Sequence, residues 1–225
     1  MNLGFRILQR DRKASEELVS KFRDIPTTVI SDCMNRMFSG GAHLRPFHNN
    51  GKLLGTALTV KTRPGDNLMV HKAIQLAEPG DVIVVDGGGE VTHAMIGEIM
   101  MRLAMKQGVN GFVINGAIRD SGVIAKESFP VYAKAVTHRG PYKDGPGEIN
   151  VPISIAEMVI HPGDIVIGDE DGVVAVRPDH AEEIVKLAKE RMLNEIEILA
   201  SIDNGSYDGS AVDVLLRTKG CEGVD

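Results

Sequence analysis

The fold is decided by the stretch Asp81-Val-Ile-Val-Val-Asp86-Gly87-Gly88-Gly89 and by a later one, Gly111-Phe-Val-Ile-Asn115-Gly116. Each is a short apolar run that ends in glycine, which is typical of a strand buried on both faces of a sheet. A helical pattern that ends near Gly108 separates them. Its apolar positions are Ile96, Ile99, Met100, Leu103 and Ala104. Phe129–Ala133 reads as a third strand, after a helix-like segment that reaches Ile124. This order predicts a parallel sheet with right-handed crossovers.

The segments before this centre also have recognisable patterns. A helix is predicted to start near Ser15 and a second one near Thr27, after Pro26. Residues 53–61 are rich in β-forming side chains and predict a strand. Asn67 then has the position of an N-cap for a further helix.

The pattern changes after Val136. Glycines and prolines in residues 138–148 predict a surface loop, and the short β-like runs that follow have the spacing of hairpins. Those runs are residues 153–160, 164–167 and 172–176. Asp179 and Glu182 form a capping-box pattern for a helix that reaches about Leu199. We therefore predict an α/β fold with a parallel core sheet and an antiparallel extension, with residues 1–200 as one domain and 201–225 as a C-terminal tail.

Composition excludes several classes of protein. The 225 residues include 25 basic and 31 acidic side chains, so the net charge of −6 disfavours binding to nucleic acid. The two cysteines, Cys33 and Cys221, are far apart and form no metal-binding pair, and two free thiols in a reducing compartment are the simplest interpretation. No apolar run approaches the roughly 20 residues of a membrane span. We expect a soluble cytoplasmic protein that makes no membrane contact.

Charged side chains follow the two central strands at the edge where ligands of parallel sheets bind. Glu98 lies near the start of the helix after the first strand, and Arg119 and Asp120 lie just past the second. Because both positions fall at the same end of a parallel pair, two carboxylates and a guanidinium are expected to meet there. Carboxylates with room for water are what Mg²⁺ or Mn²⁺ accepts, and an arginine can clamp a substrate carboxylate or stabilise an enolate.

These residues resemble a family signature. Gly97-Glu98, twenty intervening residues and Arg119-Asp120 are similar to the acidic-X20-Arg-Asp signature of the 4-hydroxy-4-methyl-2-oxoglutarate aldolases, which share their fold with RraA, the regulator of ribonuclease E. The likeness runs from about Pro26 to Val176 and includes the segments 65–67, 79–86, 129–131, 162–164 and 169–174. It implies an RraA-like fold of the swivelling β/β/α type.

The resemblance also implies a reaction and a set of roles. The reaction is a metal-dependent (class II) cleavage of 4-hydroxy-2-oxo diacids to pyruvate, with oxaloacetate decarboxylation as a second activity. Asp120 would bind Mg²⁺ or Mn²⁺ directly, Glu98 would hold metal-bound waters, and Arg119 would contact the pyruvyl part of the substrate. Backbone N–H groups of Gly97, Glu98, Ile99 and Met100 would receive the substrate carboxylate. A metal-bound hydroxide is the candidate base, and His93 is the nearest histidine in the sequence.

The family is trimeric or hexameric, so a homotrimer or homohexamer is expected. The apolar side chains of the long C-terminal helix favour this assembly. They are Ile184, Val185, Leu187, Leu193, Ile196 and Leu199.

Four other interpretations compete with this one. A Schiff-base aldolase would need a buried lysine, for which Lys61 and Lys134 are the candidates at strand ends. A non-catalytic RraA-like binding protein would need no intact site, yet Glu98, Arg119 and Asp120 are all present. A menaquinone methyltransferase is rejected because no convincing glycine-rich loop for a methyl donor is present. A histidine metal cluster is disfavoured because no pair has helical ligand spacing, so surface positions are expected. The histidines of such a cluster would be His71, His93, His138, His161 and His180.

Overall fold

A computed structural model describes residues 2–38 and 40–224 of the chain. The strands are β1 (Phe5–Ile7), β2 (Arg45–Pro46), β3 (Leu53–Thr62), β4 (Asp81–Asp86), β5 (Ala94–Ile96), β6 (Gly111–Ile118), β7 (Val131–Val136), β8 (Gly147–Ile149), β9 (Ile153–Ile155), β10 (Met158–Ile160), β11 (Ile165–Asp169) and β12 (Gly172–Val176). The helices are α1 (Glu16–Ser20), α2 (Thr27–Cys33), α3 (Leu68–Leu76), α4 (Glu98–Gln107), α5 (Ser121–Ile124), α6 (Pro178–Asp203) and α7 (Ser210–Thr218).

The centre of the main sheet is parallel, as the sequence predicts. Its order is β1-β8-β3-β4-β6-β7-β2, and the pairs β3–β4, β4–β6 and β6–β7 are all parallel. Every residue of β4 and β6 is buried, which explains why both segments are continuous apolar runs. Asp86 pairs with Asn115, but β6 continues through Gly116 to Ile118, so only β4 is followed directly by a glycine-rich turn.

An antiparallel extension flanks this core, which confirms the predicted fold class. Strand β11 pairs antiparallel with both β3 and β12, and β9 and β10 form a separate hairpin. Helices α3 and α4 cover one face of the central sheet, and the β9–β10 hairpin covers the other. A further apolar cluster lies where α1, α2 and α6 pack on β11 and β12.

One prediction about local structure near the site was wrong, and a second, the N-cap position of Asn67, was confirmed without the capping hydrogen bond. Ile96 lies in a short extra strand, β5, which pairs with β6, so α4 begins only at Glu98. The apolar spacing of Ile96 matches that of the helix, so its burial against β6 is not visible in the pattern. Asn67 occupies the N-cap position of α3 but its amide donates to the Met95 carbonyl; the Asp66 carboxylate accepts the Leu68 N–H at 2.9 Å instead.

Other boundaries also differ from the predictions. The third strand begins at Val131, because Pro130 lacks an N–H group and offers β6 only its carbonyl, which accepts the Phe112 N–H. Asp179 does not cap α6: Pro178 occupies the first turn, as its fixed backbone angle favours, and Asp179 pairs with Arg12 instead. The predicted tail contains α7. In the part of the chain that the structure describes, no helix is both long and apolar enough to cross a bilayer.

Candidate functional site

Arg119 and Asp120 lie where β6 ends and α5 begins. The Arg119 N–H donates to the Ile96 carbonyl at 3.0 Å, which ties this turn to β5. Asp120 has a φ of 57°, a left-handed conformation that is uncommon for a residue other than glycine. Because backbone strain of this kind concentrates at functional sites, the turn is a candidate position for one.

The acidic residue and the Arg-Asp pair meet, although twenty residues separate them in the sequence. The backbone N–H of Glu98, the first residue of α4, donates to Asp120 Oδ2 at 3.0 Å. Arg119 Nε is 3.7 Å from the same oxygen. A carboxylate at the start of a helix is stabilised by the free N–H groups and the positive end of the helix dipole.

Gly97 makes this approach feasible. A Cβ added at position 97 would lie 2.3 Å from Asp120 Oδ2 and 2.9 Å from Arg119 Cγ. The backbone angles of Gly97 are extended and suit any residue, so the requirement for glycine is steric. The absence of a side chain lets the Asp120 carboxylate dock on the α4 N-terminus.

The Glu98 side chain points to a different partner. Its Oε1 accepts a hydrogen bond from Arg102 Nε at 2.7 Å, one helical turn further along α4. Glu98 and Asp120 therefore share a hydrogen bond through the Glu98 backbone, while the Glu98 carboxylate forms an ion pair on the helix surface.

A cavity of about 290 Å³ opens beside these residues. Arg119, Asp120, Gly97, Ile99 and Met100 line it, so the predicted site residues other than Glu98 share one cavity. The N–H groups of Ile99 and Met100 are in the first turn of α4 and have no acceptor within the helix. The rest of the lining comes from β5, α3 and the loop after β7. Those residues are Asn67, His71, Ala94, Met95, Ile96, Gly140, Pro141 and Lys143.

His71 lines the cavity, so the expectation of a surface position for this histidine was wrong. Burial, with a smaller contribution from the charge of Lys143, lowers the pKa of His71 below its usual range. The imidazole therefore stays neutral at neutral pH and can accept a proton. Sequence reasoning missed it, although His71 follows Asn67 by four residues and thus shares its helix face.

The loop after β7 is held over the cavity by Asp66. This carboxylate is fully buried and accepts the backbone N–H groups of Asp144 at 2.7 Å and Gly145 at 2.9 Å. Asn67 and Gly65 add backbone hydrogen bonds to Tyr142. The predicted surface loop thus lines the site through a short, firmly attached segment.

The donor set fits a hard divalent cation that retains water ligands. Among the described residues, no group of three or more His, Cys, Asp or Glu side chains could enclose a metal. Asp120 has a second carboxylate oxygen and a side chain that is 40% exposed at the cavity. One or two carboxylates plus waters and substrate oxygens are the usual ligands of Mg²⁺, whereas a structural zinc site would need four protein ligands.

The alternative candidates lie elsewhere. Lys61 Nζ is 3.9 Å from Asp86 and the side chain is mostly exposed, and neither it nor Lys134 lines the cavity. His93 packs against Glu90 and Tyr142, outside the cavity lining. The lysine that does line the cavity, Lys143, is exposed.

The fold and the Asp-capped helix at the sheet edge define an α/β protein of the Aldolase/RraA class. The RraA-like family model matches residues 27–175, and the chain belongs to this family. Similarity to individual proteins supports the same assignment. A protein from Halalkalibacterium halodurans is 38% identical over 81% of this chain and 87% of its own length. It carries the provisional name 4-hydroxy-4-methyl-2-oxoglutarate aldolase.

Two further similar proteins carry different names, one an aldolase and one RraA. The 4-hydroxy-4-methyl-2-oxoglutarate aldolase of Thermus thermophilus is 32% identical over 66% of this chain and 90% of its own. The solved structure of the RNA-processing inhibitor RraA from Thermus has a TM-score of 0.63 and 28% identity, covering 68% of this chain and 93% of that one.

Proposed function

We propose that this chain is a Mg²⁺- or Mn²⁺-dependent aldolase that cleaves 4-hydroxy-2-oxo diacids to pyruvate and also decarboxylates oxaloacetate. The observation that supports the proposal most strongly is the Asp120 carboxylate docked on the first N–H of α4, with Arg119 beside it in the cavity. The names of the aldolase relatives agree with this chemistry.

Asp120 would hold the ion directly, and Glu98 would hold its waters after turning from Arg102. A bound Mg²⁺ or Mn²⁺ supplies Lewis-acid chemistry that polarises the 2-oxo group. Arg119 offers its remaining guanidinium donors to the pyruvyl oxygens, where negative charge develops as the carbon–carbon bond breaks.

The α4 N-terminus would bind the substrate carboxylate. The Glu98 N–H is already used by Asp120, so the N–H groups of Gly97, Ile99 and Met100 are the donors that remain for the substrate. Aldol cleavage also requires a base for the 4-hydroxyl proton. The neutral imidazole of His71 lines the same cavity and can accept that proton.

A homotrimer or homohexamer is part of the proposal. On the distal half of α6, Leu193, Ile196 and Leu199 are each more than 60% exposed, and such a stripe of apolar side chains needs a covering partner. Ile184 and Val185 pack in the chain's own core instead, so the expectation that they contact another subunit was wrong. The proposed location is the cytoplasm, in keeping with the free thiols of Cys33 and Cys221.

A second candidate function is a non-catalytic, RraA-like binding role. It is favoured by the structural similarity to the RNA-processing inhibitor RraA, which covers most of that protein. The two functions differ in one measurement, the release of pyruvate from 4-hydroxy-4-methyl-2-oxoglutarate and from oxaloacetate by purified protein, coupled to lactate dehydrogenase. The aldolase proposal predicts release with Mg²⁺ and none with a chelator; absence of release from both substrates with Mg²⁺ would favour the binding role.

The same assay separates the metal mechanism from a Schiff-base mechanism. A Schiff-base aldolase would keep its activity in the chelator and form a covalent adduct with pyruvate on borohydride reduction. We expect no adduct, because the cavity lysine Lys143 is exposed and lacks the desolvation that such a lysine requires.

A further inference from the structure

A second cavity, of about 590 Å³, lies between α2, β10, β12 and α6. It shares no lining residue with the candidate active site and has about twice its volume. Cavities of roughly 300–1,000 Å³ are the usual size of small-molecule sites. The proposed aldolase reaction makes no use of this cavity.

One wall of the cavity is apolar. Cys33 and Phe38 come from the end of α2 and the residues after it, and Ile184 and Leu187 come from α6. Phe38 is 50% exposed and Leu187 is 41% exposed, so apolar surface faces the open space and gains from being covered.

The other wall carries a partly paired guanidinium. Arg177 Nε is 3.2 Å from Oδ1 of Asp164, whose side chain is only 3% exposed. The second oxygen of Asp164 accepts the His161 N–H at 2.7 Å, so this buried carboxylate holds Arg177 in place. Within residues 2–38 and 40–224, no protein acceptor binds the Nη atoms of Arg177, which can therefore donate to a ligand.

Two buried nitrogen atoms face the Asp164 carboxylate without regular hydrogen-bond geometry. Arg177 Nε lies 3.2 Å from Asp164 Oδ1, and His161 Nδ1 lies 3.6 Å from Asp164 Oδ2. Because both atoms face Asp164, the Nη atoms of Arg177 are the donors that remain for a ligand. Helix α6 starts directly after Arg177 and has no side-chain cap, so its positive end adds to the attraction for an anion.

We propose that this second cavity binds a small carboxylic acid with an apolar tail about the size of an aromatic ring. The carboxylate would pair with the Nη edge of Arg177, where two parallel N–H donors match its geometry. The tail would lie on the wall formed by Phe38, Ile184 and Leu187. This site is independent of the aldolase proposal, and either can fail without the other.

Cys33 provides a reporter inside the cavity. In a Cys221→Ser variant it is the only cysteine, and its rate of alkylation by the neutral reagent N-ethylmaleimide measures access to the cavity. Phenylacetate is the probe, and the uncharged phenylacetamide is its matched control. We expect phenylacetate to slow alkylation about tenfold at ten times its Kd, and phenylacetamide to have little effect.

Substitutions test the contacts. Arg177→Gln should abolish protection by phenylacetate, while Arg12→Gln, which removes another arginine near the α6 N-terminus, should leave it intact. Leu187→Glu, at an exposed position on the apolar wall, should also abolish protection, and it keeps the test valid if Arg177→Gln does not fold.

Three results would overturn the proposal. The first is that phenylacetate and phenylacetamide protect Cys33 from alkylation equally, and the second is that phenylacetate gives no protection. The third is that Cys33 reacts with N-ethylmaleimide only after dilution dissociates the assembly. The last result would assign the cavity to an interface with a second copy of the chain.

Discussion

The close approach of Asp120 to Gly97 predicts a sharp effect of Gly97→Ala. Real Cβ atoms stay at least 3.0 Å from other atoms, and the new Cβ would lie 2.3 Å from Asp120 Oδ2. The carboxylate must therefore retreat by at least about 0.7 Å, which breaks the 3.0 Å hydrogen bond from the Glu98 N–H. Hydrogen bonds to charged groups contribute about 1.5–3 kcal/mol. We expect kcat/KM for pyruvate release to fall about 10- to 150-fold.

Gly122→Ala is the matched control. Gly122 lies two residues after Asp120, in α5, and a Cβ there would meet no atom within 4 Å. Both variants should keep the wild-type fold, which urea unfolding can check, and only Gly97→Ala should need more Mg²⁺ for half-maximal activity. A difference of less than about twofold in kcat/KM between the two variants would be well under the effect expected for the loss of one such hydrogen bond. That result would show that the docking of Asp120 on α4 does not matter for function.

Four other predictions concern the site and the assembly. Asp120→Ala should abolish turnover, whereas Arg119→Lys should lower kcat far more than metal affinity, because lysine lacks the fork of N–H donors of arginine. Steady-state kinetics at varied Mg²⁺ measures both effects. An unchanged kcat in Arg119→Lys would show that Arg119 does not stabilise the developing charge. Asp66→Asn should release the loop over the cavity, since the amide can accept only part of the hydrogen bonds that the carboxylate receives. We expect KM to rise more than kcat falls. An unchanged KM would show that other contacts hold the loop. Burial lowers the pKa of His71 from its usual 6.5, so the unfolded chain binds a proton at a higher pH than the folded chain does, and stability is lost as pH falls below about 6.5. His71→Gln should therefore show a smaller drop in Tm than the wild-type protein between about pH 7 and pH 5.5. An identical drop in both proteins would contradict the lowered pKa. Leu193→Glu should reduce the assembly towards the 24.3 kDa monomer in sedimentation, and a wild-type protein that already sediments as a monomer would refute the oligomer.

The parallel core was predictable because full burial leaves a direct trace in sequence. β4 is apolar at every position between Asp81 and Asp86, and Asn115 is the one polar side chain in β6. Gly108 marks the end of α4 with a φ of 81°. The approach of the Glu98 backbone to Asp120 was also predictable, since parallel neighbours place their carboxyl ends together. The predicted meeting of the two carboxylates is not seen, because the Glu98 carboxylate pairs with Arg102. The β11–β12 hairpin was evident from its turn residues. The β9–β10 hairpin was not, because residues 153–160 read as one continuous β-like run and no glycine, proline or asparagine marks the turn at Ala156 and Glu157.

The remaining features depend on contacts between distant segments. β5 is three residues long and its apolar spacing blends with that of α4, so only its pairing with β6 reveals it. The placement of Lys143 and Pro141 in the cavity follows from the hydrogen bonds that Asp66 makes to the loop, which no local pattern encodes. The Arg102 partner of Glu98 has the i,i+4 spacing of a helix pair, and sequence reasoning overlooked it.

Titration of metal-stripped protein with Mn²⁺, followed by electron paramagnetic resonance, tests the proposed site most directly. In the presence of pyruvate, wild-type protein should bind one Mn²⁺ per chain, and Asp120→Asn should lose that binding while Gly122→Ala retains it. Unchanged Mn²⁺ affinity in Asp120→Asn, or no bound Mn²⁺ in the wild-type protein, would contradict a divalent cation held at the Arg119–Asp120 turn.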